Sequence, residues 1–136
     1  RLIMNLGYER ALIIQGSEGS DELYIHRPTR TYRIEHGEAS LQIIDPESFG
    51  LDTPLPEVDW TPAEQAAVTG QVLQGKGNMA FMYQVLLNAA VRLHLADRVQ
   101  SVEEGLYTGK ALLESGKPRE LYEKWQAVLK NQPLTV

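Results

Sequence analysis

The apolar positions of this chain alternate in its first half and recur at helical spacing in its second. Arg10-Ala11-Leu12-Ile13-Ile14 is a short β-branched run that ends in an acidic, glycine-rich turn, Gln15-Gly16-Ser17-Glu18-Gly19-Ser20-Asp21-Glu22. That pattern predicts a buried strand delivering polar groups at its carboxyl end, where open α/β sheets usually place ligands. Leu23-Tyr24-Ile25-His26 can extend as a further strand, and Arg27-Pro28-Thr29-Arg30 interrupts it, because proline cannot donate to a sheet ladder. Thr31 to Glu35 alternates, turns over His36-Gly37-Glu38 and returns as Ala39 to Ile44, which predicts a hairpin. Asp45-Pro46-Glu47-Ser48 then starts a short helix, the aspartate capping free amides and the proline sitting where no donor is needed. Gly50 stops it, and Asp52 to Trp60, with Pro54 and Pro56, crosses irregularly, Trp60 being expected as a packing anchor.

From Thr61 the pattern is helical. Thr61-Pro62-Ala63-Glu64 is a capping box with proline at the first helical position, and its helix runs to about Leu73 before Gln74-Gly75-Lys76-Gly77. The longest helix spans roughly Asn78 to Ala96, with Met79, Met82, Leu86, Ala89 or Ala90, and Leu93 at helical spacing. Phe81, Val85, Leu87 and Val91 make it apolar nearly all round, so it is expected to be the central buried helix, with Met79 and Met82 as core filler. Ser101-Val102-Glu103-Glu104 is a second capping box, whose helix Gly116 ends. A last helix from Pro118 carries Leu121, Trp125, Val128 and Leu129 on one face, and Gln132 to Val136 should fray. At the other end, Arg1 to Tyr8 reads as the tail of a helix stopped by Gly7, with neither an initiator methionine nor a helix start before it. The expectation is a piece of a longer chain.

Together these elements predict an α/β fold: a mixed sheet with a β-hairpin, packed by several C-terminal helices, in a single domain over residues 1–136. The net charge of −5 contains no basic run, so nucleic acid and anionic membrane surfaces gain no electrostatic support. The chain has no cysteine, which excludes disulfides, thiolate metal sites and cysteine nucleophiles and fits a cytoplasmic protein. No apolar stretch reaches membrane-spanning length.

Candidate chemistry concentrates in the acidic turn. Glu18, Asp21 and Glu22 crowd around two glycines. Mg²⁺ is satisfied by one or two carboxylates and keeps its other positions for water and substrate phosphate. The same residues also make an ordinary solvated turn, since Asp and Glu are common surface residues. His26 and His36 lie near turns and strand ends without an evident triad partner, and read as surface residues. Gly75-Lys76-Gly77 lacks the Ser or Thr of a phosphate-binding loop and falls between two helices. Asn88, polar within an apolar helix, reads as a buried asparagine bonded to neighbouring backbone.

Four segments, in order and spacing, carry a resemblance to a known family. They are Gly19-Ser20-Asp21-Glu22-Leu23 with Arg27-Pro28-Thr29; Asp45-Pro46-Glu47-Ser48-Phe49-Gly50-Leu51; Leu73-Gln74-Gly75-Lys76-Gly77 with Val85-Leu86-Leu87-Asn88-Ala89-Ala90; and Ser101-Val102-Glu103-Glu104-Gly105 with Ala111-Leu112-Leu113-Glu114-Ser115-Gly116. From Arg10 to Leu129 the chain resembles the C-terminal part of the α/β domain of the anthranilate phosphoribosyltransferase family. The resemblance implies transfer of 5-phosphoribose from phosphoribosyl pyrophosphate to an aromatic amine, anthranilate, in tryptophan biosynthesis. It implies Mg²⁺ held by an Asp-Glu pair, which falls on Asp21 and Glu22; no catalytic or other cofactor-binding residue is carried over. The family's glycine-rich pyrophosphate loop, acceptor-binding residues and small helical dimerisation domain would all lie upstream. The isolated chain is therefore expected to lack turnover, and its parent to be a homodimer.

The turn departs from the family pattern, with Gln15 where a histidine is usual and Ser20 where an apolar residue is usual. Glu18-Gly19-Ser20 is similar to a divergent branch, some of whose members bind nucleic acid instead. Two alternatives therefore stand beside the transferase: a same-fold binding protein, and a relative of pyrimidine nucleoside phosphorylase.

Overall fold

A computed structural model describes residues 2–16 and 19–131. The expected fraying of Gln132 to Val136 lies outside them. A short helix, α1 (Leu2–Asn5), ends at Gly7, whose φ of 78° is the left-handed stop that the sequence called for. Three strands follow, β1 (Arg10–Gln15), β2 (Thr29–Glu35) and β3 (Glu38–Ile44), forming one sheet in the order β1-β2-β3. Among the described residues its strands pair antiparallel throughout. The hairpin turn is the two residues His36 and Gly37, both left-handed with φ of 52° and 79°. That geometry matches the twist of the flanking strands and places Glu38 in β3.

A 3₁₀ turn (Pro46–Phe49) follows, capped by Asp45, whose carboxylate accepts from the Glu47 N–H, and stopped by Gly50. Four helices complete the chain: α2 (Pro62–Leu73), α3 (Met79–Leu95), α4 (Val102–Glu114) and α5 (Lys117–Asn131). The Thr61–Glu64 capping box forms as expected, bond for bond. At α4 it is shifted: Ser101 Oγ accepts from the Glu104 N–H, but the Glu104 carboxylate returns to the Gln100 amide. Among the described residues no helix is long and apolar enough to cross a membrane.

The core lies between the inner face of the sheet and α3. Leu23, Ile25, Ile44, Leu51, Leu87 and Val91 are its buried centre, with Leu12 and Ile14 of β1 packed against them. α4 lies across the other side of α3, and the approach is close. A Cβ at Gly105 would sit 2.8 Å from the Ala90 Cα, and one at Gly109 would sit 3.1 Å from the Leu86 Cδ2.

Several expectations give way here. β1 was expected to be buried, yet only Leu12 and Ile14 turn inward; Ile13 forms an exposed outer row with Tyr32 and Leu41 that no helix covers among the described residues. α3 is buried on two sides rather than all round: Met79, expected as core filler, is exposed at its first turn, and Val85 is exposed at its second. Trp60 touches Phe81 edge-on at 5.5 Å but stays half-exposed, so it anchors only one side of its ring. Leu23 to His26 is not a strand. Leu23 and Ile25 are fully buried, but their main-chain groups bond to side chains of α3 and to the Thr53 N–H instead of a ladder.

Candidate functional site

The acidic turn is closed at its neck by Gly16. This residue is buried; its N–H donates to the Ser20 carbonyl at 3.0 Å, and its own carbonyl accepts from the Gly19 N–H at 3.1 Å. A Cβ at position 16 would lie 2.5 Å from the Ser20 carbonyl oxygen and 2.9 Å from that of Glu22, so only glycine fits. Ser20 Oγ then accepts from the Glu22 N–H at 3.3 Å. The turn thus delivers Asp21 and Glu22 in succession, both exposed, and of the two only Asp21 lines the cavity between β1 and α3. Glu18 lies outside the described residues.

Immediately after Glu22 the chain is pinned to α3. Asn88 Oδ1 accepts from the Leu23 N–H at 3.1 Å, and Asn88 Nδ2 donates to the Leu23 carbonyl at 2.8 Å. Gln84 Nε2 donates to the same carbonyl. The Asn88 carboxamide also donates to the Gln84 main-chain carbonyl at 2.9 Å, which fixes its own rotamer. Asn88 is therefore the backbone-bonded buried asparagine that the sequence suggested.

Between β1 and α3 lies a cavity of about 270 Å³, lined by Leu12, Ile14, Asp21, Asn88, Val91 and Arg92 among others. It joins an apolar floor to one carboxylate and one guanidinium. Such a wall suits a ligand with an anionic group at Arg92 and a bridging cation at the acidic pair.

The donor set limits the cation. Among the described residues neither Asp21 nor Glu22 is in an ion pair, and no cluster of three or more His, Cys, Asp or Glu side chains could hold a metal. Two exposed carboxylates cannot make a closed structural zinc site, which takes four protein ligands. They do fit Mg²⁺, which leaves most of its octahedron to water and phosphate.

The other sequence candidates stay apart from this site. His36 is exposed at the hairpin turn, and His26 is half-buried with its ring edge-on to Tyr24 at 5.3 Å. Gly75-Lys76-Gly77 is an exposed link between α2 and α3. Gln84 and Arg92 were missed. Their signal was present, since Gln84, Asn88 and Arg92 stand four apart and draw one polar line along an otherwise apolar helix.

Comparison with known proteins bears on the same region. Residues 1–119 match the glycosyl transferase family, a/b domain. An anthranilate phosphoribosyltransferase from Synechocystis sp. is 36% identical over 118 residues, which is 84% of this chain and 34% of that protein. The anthranilate phosphoribosyltransferase structure from Thermus thermophilus superposes with a TM-score of 0.72 at 26% identity, over 94% of this chain and 38% of that one. One from Saccharomyces cerevisiae with Mg bound has a TM-score of 0.74 at 23% identity, over 87% of this chain and 35% of that one, a likeness of fold. The chain thus spans about a third of the length of the curated relatives it matches.

Proposed function

From the premise that the chain belongs to the glycosyl transferase family in its α/β domain, we propose that it is the metal-holding, C-terminal portion of a phosphoribosyltransferase. One observation carries the reading. Asp21 and Glu22 stand together, without ion pairs among the described residues, at the mouth of a glycine-closed turn. Asp21 shares its cavity with Arg92.

In this reading Asp21 and Glu22 hold Mg²⁺, directly or through water. When bound, the ion neutralises charge on the departing pyrophosphate of phosphoribosyl pyrophosphate. Arg92 presents fork-shaped donors suited to a phosphate oxygen pair. Leu12, Ile14 and Val91 form the apolar floor beside these charged groups. Asn88 and Gln84 hold the main chain just beyond the pair, so the carboxylates keep their place during the reaction. Anthranilate is the acceptor suggested by the relatives, and the acceptor pocket, the glycine-rich loop and the dimer contacts belong to the rest of the parent protein. His26 and His36 take no part, since a phosphoribosyl transfer relies on positioning and charge stabilisation more than on proton transfer.

The test is a titration of Mg²⁺ with phosphoribosyl pyrophosphate into the full-length parent and into its Asp21→Asn/Glu22→Gln variant. The substitutions keep shape and remove two charges, so affinity falls while the fold survives. Equal affinities in two folded proteins would leave the turn a solvated loop.

A further inference from the structure

Ser20 folds back into the acidic turn, half-buried, while its neighbours Gly19, Asp21 and Glu22 are exposed. Its side chain lies over the bare Cα of Gly16: a Cβ there would sit 2.6 Å from the Ser20 Oγ. The hydroxyl thus occupies space that only glycine leaves open. From this place Oγ accepts from the Glu22 N–H at 3.3 Å, while the Ser20 carbonyl accepts from the Gly16 N–H at 3.0 Å.

The bridge from Ser20 Oγ to the Glu22 amide spans one residue, Asp21. A side-chain oxygen bonded to the amide two positions on closes a ring around the residue between and restricts its backbone. Asp21 is the member of the pair that lines the cavity between β1 and α3, where Arg92 also stands. Just beyond the bridge, Asn88 fixes the chain again at Leu23. Asp21 therefore lies between two anchored points, Ser20 on Gly16 and Leu23 on Asn88. Without the hydroxyl, the Glu22 N–H turns to water and the Asp21 backbone regains freedom that binding must then remove. Resting on the reading of Asp21 and Glu22 as the pair that holds Mg²⁺, we propose that Ser20 is a positioning residue. Through its bridge to the Glu22 amide it keeps the Asp21 carboxylate directed at the cavity shared with Arg92.

Calorimetric titration of Mg²⁺ with phosphoribosyl pyrophosphate into variants of the full-length parent tests this. Ser20→Ala should weaken binding about two- to tenfold, the worth of one ordinary hydrogen bond, with unchanged circular dichroism because that bond lies in an exposed turn. Ser20→Thr keeps the hydroxyl and should restore most of the affinity. Because Ser20 acts through Asp21, Ser20→Ala should weaken binding little further in an Asp21→Asn background. In the metal-free protein, hydrogen exchange at the Glu22 amide should be faster in Ser20→Ala than in the wild type. An unchanged exchange rate overturns the proposal, and so does an equal loss of affinity in both backgrounds. Ser20→Thr as weak as Ser20→Ala overturns it too, as does loss of the fold in Ser20→Ala, which would make the role structural. If Ser20→Ala binds like the wild type while Asp21→Asn/Glu22→Gln binds weakly, the proposal fails and the reading of the acidic pair stands. If that charge-removing variant also binds like the wild type, both fail.

Discussion

Asn88 takes up both main-chain polar groups of Leu23, a residue 65 positions earlier, accepting from its N–H at 3.1 Å and donating to its carbonyl at 2.8 Å. Both residues are buried, so water cannot replace either bond. Asn88→Ala should therefore cost about 1–3 kcal/mol, because the buried Leu23 N–H is left without a partner while its carbonyl keeps only Gln84. Asn88→Asp keeps the acceptor and loses the donor, and should be destabilising as well, since it brings a carboxylate against the Leu23 carbonyl. Urea denaturation reads both. If Asn88→Ala unfolds at the wild-type midpoint, the Asn88 clamp contributes nothing and the chain after Glu22 is held by Gln84 and by burial of Leu23 and Ile25.

Gly16 makes a second, independent prediction about the same loop. Its φ is not in the left-handed region, so the demand for glycine is one of space: the nearest obstacle to a Cβ is the Ser20 carbonyl oxygen. Gly16→Ala should destabilise by about 1–3 kcal/mol through overpacking. Ser20→Gly in the same chain removes the hydroxyl but leaves the carbonyl, and should recover only a minor part of that loss. Full recovery would put the constraint on the Ser20 side chain instead.

The sequence revealed what is locally determined. The hairpin was readable because alternation and a His36-Gly37 turn specify it within a few residues, and the capping residues placed the starts of α2 and α4. Composition marked three carboxylates, Glu18, Asp21 and Glu22, and only the family resemblance narrowed them to Asp21 and Glu22. What could not be read are the long-range choices. Leu23 and Ile25 alternate like a strand, and only the arrival of Asn88 and Gln84 decides that side chains take the place of a ladder. Arg92 joins Asp21 because α3 packs along β1, which no spacing in the sequence states. The α5 stripe was visible as a face, but periodicity does not say that Leu121, Trp125, Val128 and Leu129 stay exposed.

The α3–α4 crossing predicts an asymmetry between two glycines four residues apart. A Cβ at Gly105 meets the Ala90 Cα at 2.8 Å and its carbonyl oxygen at 2.9 Å, which are backbone atoms that cannot step aside. A Cβ at Gly109 meets only the Leu86 Cδ2, the end of a flexible side chain. Gly105→Ala should cost about 1–3 kcal/mol. At Gly109 the gain in helix propensity, about 0.5–1 kcal/mol, should roughly offset the contact. Leu86→Ala, on the facing helix, should lose about 2–5 kcal/mol because the side chain is buried. Equal losses at the two glycines would mean that the helices move apart as rigid bodies and that the backbone contact sets no limit.

The final prediction concerns acid stability and follows from an ion-pair network at the far end of β1. Arg10 pairs with Asp97, just past the end of α3, and with Glu35 at 3.1 Å, while Arg33 holds Glu35 at 3.0 Å. The hydrogen bond from Arg33 and then the charges of Arg33 and Arg10 hold the Glu35 carboxyl below the usual carboxylate range. The hydrogen bond and charge of Arg10 do the same for Asp97. Both folded values therefore lie below the unfolded ones of about 4, and the unfolded chain binds more protons in that window. The stabilisation is fully present above the unfolded values and is lost as pH falls through the folded ones. Arg10→Met removes the partner of Asp97 entirely and one of two from Glu35. Its stability should lie closest to that of the wild type at low pH, with the gap opening as pH rises to about 5–6 and staying constant above. Because these groups lie at the surface, about 0.5 M salt should narrow the gap. Urea midpoints measured across the acid range, with and without salt, decide it. A gap of the same size at every pH would assign the loss to the packing of the Arg10 side chain against the sheet rather than to its charge.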